Sequence, residues 1–188
     1  MAISKRKCKL CGEFVRGFVI TPKGVFCTFD SAVKYAIKNK EKGAKIRFND
    51  QKKKDNNRRK ELMTRSQWYD KLQREVNYYV KHVKEQGQPC CTCGAIGCKI
   101  DAGHYLSRGA HPELRFELTN IHNQCSVRCN QHGSGMRAEY NKYIKERYGI
   151  DHYNWLNGKH PTLKEQYPHW TDIEREIKRY RELNKKSR

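Results

Sequence analysis

Four cysteines constrain this chain more than any other feature: Cys90-x2-Cys93 and Cys125-x3-Cys129, with 31 residues between the pairs. Two thiolate pairs at such a separation close one tetrahedral metal, each pair filling two corners. Gly94 follows the first pair and permits the tight turn a knuckle needs, which favours Cys90 and Cys93 over Cys91 or Cys98. The chain has nine cysteines, an odd number, and opens on the charged "MAISKRKCKL" with no apolar stretch. A secreted disulfide scaffold is therefore not expected. Cys-x-x-Cys spacings in a reducing cytosol point to structural Zn2+.

A second cluster lies near the start. Cys8 and Cys11 precede Gly12, an apolar run spans Phe14 to Ile20, a turn falls at Pro22–Gly24, and Cys27 follows. The order reads as a zinc-ribbon-like hairpin with three cysteines. Asp30 or Ser31 stands where a fourth would be expected. Asp30 suits either of two roles, a carboxylate zinc ligand or the N-cap of a helix over "SAVKYAIKNK". Residues 1–37 thus form one module. Residues 38–63 read as a basic linker, mobile or partly helical, because 38–61 carries eleven Lys/Arg and four Asp/Glu with little periodicity. Residues 64–188 form the main domain. Its clearest helix is 66–86, with Ser66 as cap and Trp68, Leu72, Val76, Tyr79, Val80 and Val83 on one face. Later helices are expected over Arg137–Tyr148, stopping at Gly149, and from Thr171 or Asp172 with Ile173, Ile177 and Tyr180 inward.

Charge names the class of partner. Lys and Arg number 40 against 20 Asp and Glu, a net +20, with only 36% hydrophobic residues. A chain this basic meets a polyanion, by default nucleic acid. It has no long apolar run and no basic helix with a bulky apolar face, so no membrane partner is expected.

Chemistry is sought where His and Cys gather, at 90–132. "DAGHY" puts Asp101 and His104 on a strand-like stretch, "NIHNQC" puts Asn120 before the second cysteine pair, and "CNQH" puts Asn130 after it. His on a strand, Asn on the connecting loop and Asn at the start of a helix is an order similar to that of the HNH nucleases. The likeness implies an α+β fold: a zinc-stapled ββα-metal core with flanking helices and the N-terminal hairpin. Phosphodiester hydrolysis needs an activated water and charge stabilisation. His104 is the expected general base. Asn130 and Asp101 offer hard oxygen donors to a catalytic Mg2+ or Mn2+, and Asp101 alternatively orients His104. Asn120, the remaining member of the catalytic set, is expected to hold the loop and the His104 backbone. Arg108, Arg115, Arg128 and Arg137 are expected to grip flanking phosphates, and Lys52, Lys53, Lys54, Arg58 and Arg59 to track DNA. His122 and His132 are left open between phosphate, metal and packing roles.

The run "PCCTCG…DAGHYLSRGAHPELRFELTNIHNQCSVRCNQHGSG" resembles the NinG/Rap family of lambdoid-phage recombination proteins. The shared order is PC-x-x-CG, DAGHY, LRF, NIH-x-QC and CNQH-x-SG. The resemblance covers most of the chain and is dense from Pro89 to Gly135. It implies a structure-specific endonuclease cleaving Holliday junctions and D-loop-like intermediates in phage homologous recombination, within the cytoplasm of an infected bacterium. Junction symmetry makes a homodimer an attractive arrangement. Two departures stand out: Cys125-x3-Cys129 has one residue more than the family's C-x2-C, and the N-terminal cluster lacks its fourth cysteine. The rival readings are a non-catalytic zinc-containing nucleic-acid-binding protein and an HNH nuclease of another specificity.

Overall fold

The structure is a computed structural model describing residues 4–187. It is α+β, with three two-stranded antiparallel sheets among helices. The chain divides into two compact units, Met1–Leu62 and Met63–Arg188. The boundary expected at residue 37 falls inside a helix.

In the first unit, β1 (Arg6–Lys7) pairs with β2 (Phe14–Val15), and β3 (Val19–Thr21) pairs with β4 (Gly24–Phe26) around the Pro22–Lys23 turn. Helix α1 then runs for 33 residues, Phe29–Glu61, through most of the expected linker. It buries no residue, so no apolar stripe announced it. Its N-cap is Thr28, whose hydroxyl accepts from the Ser31 N–H, and not Asp30. Asp30 sits in the first turn, where its carboxylate pairs with Lys34 and suits the positive helix end.

The second unit is built on α2 (Arg65–Tyr79) and α5 (Trp170–Asn184). Thr64, not Ser66, caps α2 in a reciprocal capping box with Gln67. Trp68, Leu72, Val76 and Val80 pack with Ile173, Ile177 and Tyr180 across the pair, and Trp68 stacks on Trp170. A wider π-helical turn, Val80–Lys84, ends the helix, closed by the Glu85 N–H on the Val80 carbonyl at 2.9 Å. β5 (Ile100–His104) pairs antiparallel with β6 (Ile121–Cys125), placing His104 opposite Ile121 and Asp101 opposite Gln124. β6 leads into a second π-helical turn, Ser126–Gln131. Helix α3 (Arg137–Leu156) follows, kinked at Gly149 (φ +83°), where a stop was expected. A short α4 (Leu163–Gln166) completes the order. Tyr140, Ile144 and Leu156 of α3 bury against Tyr105, Leu106 and Leu114 of the loop joining β5 to β6.

A candidate metal-dependent cleft beside a four-cysteine cluster

Cys90, Cys93, Cys125 and Cys129 come together with all four sulfurs within 4.8 Å of one another. Cys90 Sγ is 3.8 Å from Cys129 Sγ, and Cys93 Sγ is 3.6 Å from Cys125 Sγ. A tetrahedral zinc with bonds of about 2.3 Å has sulfur–sulfur edges near 3.8 Å, so the donors fit such an ion. Burial pushes the Cys90 thiol up, but hydrogen bonds from the Thr92 hydroxyl and the N–H groups of Cys125 and Cys93 outweigh it and bring it down to about 6. Cys125 is pushed up, first by the neighbouring Cys98 thiol and then by burial. A cation would relieve that crowding of negative sulfurs. The extra residue in C-x3-C is taken up by the π turn, closed by the His132 N–H on the Val127 carbonyl at 2.9 Å.

The N-terminal Cys8, Cys11 and Cys27 also converge within 4.8 Å. Asp30 does not join them: its side chain is 71% exposed and bonded to Lys34 at 2.7 Å. Ser31 turns to the cluster instead, its hydroxyl 3.0 Å from Cys27 Sγ. Both cysteine clusters could hold a metal such as zinc.

A cleft of about 490 Å3 opens beside the larger cluster and is lined by Asp101, His104, Arg108 and Asn130. β5 supplies Asp101 and His104, the loop after it Arg108, and the π turn Asn130. Asp101 Oδ2 accepts from the Ser126 hydroxyl at 2.6 Å and from Asn130 Nδ2 at 3.4 Å. The carboxylate is thereby fixed against the turn that carries Cys129. Asn130 turns its amide Nδ2 toward Asp101, so the amide would have to turn over before its Oδ1 could share a hard cation with that carboxylate.

His104 Nε2 lies 3.0 Å from the Arg115 carbonyl oxygen. A carbonyl only accepts, so Nε2 carries the proton and Nδ1 keeps the lone pair. Burial holds this ring well below 6.5, at about 4. The Arg115 carbonyl pulls the other way, and the charges of Arg108 and Arg115 reinforce the depression. The ring is therefore neutral at pH 7, with the Nδ1 lone pair free. Gly103, directly before it, has no room for a side chain, because an added Cβ would meet Gln124 Cβ at 2.8 Å.

Asn120 does not line the cleft. It is fully buried, accepts from the Leu106 N–H at 2.8 Å, and donates to the Leu106 and Leu114 carbonyls at 3.1 Å each. Its own carbonyl takes the Tyr105 N–H, next to His104. Arg115 is not free to grip a phosphate: its guanidinium bonds Asp70 at 2.7 Å and Gln73 at 2.9 Å on α2. Arg137 donates to the Tyr105 carbonyl and lies over the Tyr105 ring. Arg128 is exposed on the π turn without lining the cleft, and Lys52, Lys53, Lys54, Arg58 and Arg59 are exposed on α1.

His122 is a packing residue. Tyr140 gives its one hydroxyl proton to the Gly103 carbonyl. His122 Nδ1–H therefore donates to Tyr140 Oη, and Tyr148 donates to Nε2 at 2.9 Å. Burial, with the charges of Lys84 and Arg147, holds this ring down to about 2, so its 3.7 Å approach to Glu85 is not an ion pair.

Sequence reasoning missed Asn77 and Lys81, which line the cleft from α2 and the turn after it. Their one signal is the i,i+4 spacing, which puts both on the same helix edge.

The model of the bacteriophage lambda NinG protein family matches residues 1–188. The NinG protein of Salmonella phage P22 is 37% identical over 117 residues, covering 56% of this chain and 57% of its own length. The NinG protein of Escherichia phage lambda is 37% identical over 100 residues, covering 53% and 48%. The matches thus span about half the length of these relatives. No solved structure matches, and no helix among the described residues is long and apolar enough to cross a membrane. With its whole length under the family model, the chain belongs to the NinG family.

Proposed function

We propose that this chain is a divalent-metal-dependent endonuclease of the HNH kind that cuts branched DNA, Holliday junctions and D-loop-like intermediates, during phage recombination in the host cytoplasm. The observation that carries the reading is the single cleft joining a neutral His104 with Asp101, Asn130 and Arg108. Zn2+ in the cysteine cluster would fix the turn bearing Asn130. Mg2+ or Mn2+ on Asp101 and Asn130 would stabilise charge on the phosphoryl and leaving oxygens. His104 Nδ1 takes a proton from water as its oxygen bonds to phosphorus and the bond to the 3′ oxygen breaks. The Arg115 carbonyl aims the ring and accepts its Nε2–H more strongly once the imidazole is charged. Arg108 steadies a phosphate at the mouth of the cleft. A homodimer would supply one such cleft to each of two symmetry-related strands, and sedimentation with and without junction DNA tests that arrangement.

Four-way junction DNA incubated with the protein and Mg2+ or Mn2+ should be cleaved. A His104→Ala variant should bind the junction without cutting it. Equal cleavage by both proteins, or none by the wild type with any divalent ion, would overturn the reading. The second outcome would leave a zinc-containing nucleic-acid-binding protein.

A further inference from the structure

The cleft has two walls, and only one bears the residues of the proposed chemistry. Asn77 and Lys81 make the other, facing Asp101, Ala102 and His104 across the opening. Three observations give this wall a role.

Lys81 is half-buried, yet makes no hydrogen bond or ion pair among the described residues. Asp101 lines the same cleft but does not pair with it, being held by Ser126 and Asn130. The Lys81 ammonium stays open to the water of the cleft and has no counter-ion among the described residues, so it is free to meet an anion that enters.

Asn77 is oriented and half used. Its Oδ1 accepts from Gln73 Nε2 at 2.7 Å, which leaves Nδ2 to donate into the cleft. Gln73 Oε1 in turn accepts from Arg115 Nε at 2.9 Å. The Arg115 carbonyl holds His104. One chain of bonds, His104–Arg115–Gln73–Asn77, thus sets the distance between the wall and the base.

Lys81 also stands at a junction of hollows. A second one, of about 350 Å3, lies on its other side, lined by Gly87, Gln88, Ile96, Gly97 and Ile100. The π turn fixes this position. Lys84, three residues on, donates to the Leu118 carbonyl and to the Ile121 carbonyl at 2.9 Å, tying the turn to the start of β6.

We propose that Asn77 and Lys81 form a phosphodiester-binding site. One nucleic-acid strand runs from the main cleft past Lys81 into the second hollow, with Lys81 on a backbone phosphate neighbouring the one that faces His104 and Asn77 Nδ2 donating to the same strand. The site itself rests on polyanion binding alone. Only its place beside the cut phosphate rests on the nuclease reading.

The test measures binding of the full chain to four-way junction DNA without Mg2+ or Mn2+, across a salt series. One lost phosphate contact reduces the slope of log K against log salt by about 0.7–0.9. Lys81→Met should do so and weaken binding roughly ten-fold at low salt, while Lys81→Arg should retain both values. Asn77→Ala should weaken binding without altering the slope, because it removes a neutral donor. Circular dichroism melting of each variant in parallel identifies any that is unfolded, and Lys81→Gln replaces Lys81→Met if needed. A folded variant lacking Lys81 with wild-type affinity and slope would overturn the inference, whether or not the wild type cleaves. The expected slope change in Lys81→Met, together with a wild type that cuts no DNA, would instead overturn the nuclease reading and leave the phosphate site standing.

Discussion

At the scale of single residues, the second unit keeps two of its histidines neutral by burial. His104 and His122 titrate at about 4 and about 2 in the fold, against 6.5 when free. Both folded values are depressed, so below pH 6.5 the unfolded chain binds protons that the fold refuses. Stability is full above about pH 6.5 and falls as pH drops toward 4, by about 1.4 kcal/mol per pH unit for each ring. Urea unfolding between pH 6.5 and 5 should show that slope, and His104→Asn should remove about half of it. An unchanged slope would mean that His104 is protonated in the fold. Asn120→Ala should cost about 2–4 kcal/mol, because it strands the Leu106 N–H and two carbonyls in a dry loop. Urea unfolding at pH 7.5 measures it, and a cost below about 0.5 kcal/mol would count against the loop-holding role. The positions of His104, Asp101 and Asn130 were legible because their motifs fix both residue type and spacing. Asn77 and Lys81 were not, because α2 reads through its apolar stripe, and nothing in that stripe says that its polar edge faces β5. Arg115 was misjudged for a related reason: an arginine beside a motif looks like a phosphate clamp until Asp70 and Gln73, more than 40 residues away, are seen to hold it.

At the scale of elements, the two π turns carry the novelty. The sequence announces helix 66–86 through its apolar period, but a switch from α to π winding changes no residue pattern. The turn at Ser126–Gln131 explains how a three-residue spacer presents Cys129 beside Cys90 and Asn130 beside Asp101. Deleting Val127, an exposed residue of that turn, restores two-residue spacing but removes the acceptor of the closing bond. The deletion variant should lose the metal of the larger cluster while keeping that of the N-terminal one. Metal content per chain by mass spectrometry reads this directly. Retention of both metals would show that the spacer is slack. Helix α1 was the hardest element to foresee: it buries none of its residues, so the periodicity that reveals other helices has nothing to record.

At the scale of the whole molecule, charge and chemistry are divided between two units. The unit Met1–Leu62 holds 18 Lys/Arg and 6 Asp/Glu, whereas the cleft and its four cysteines lie in Met63–Arg188. A protein beginning at Met63 should bind Zn2+ at the larger cluster as the full chain does, since every cysteine of that cluster and its core is retained. It should bind DNA more weakly, with a markedly shallower salt dependence. Equilibrium binding in a salt series compares the two proteins, and an unchanged slope would show that the basic helix does not touch DNA.

Gly103 carries a consequence for how this site can vary. The position before His104 is closed by Gln124, whose side chain lies where any Cβ would go. A carboxylate there is not one substitution away: every residue but glycine at 124 keeps the Cβ that would lie 2.8 Å from the new one. Gln124 also donates to the Gly135 carbonyl, so shrinking it loosens the loop after the π turn before any gain arrives. Glycine at 103 and glutamine at 124 thus hold each other in place, and neither can be varied without the other.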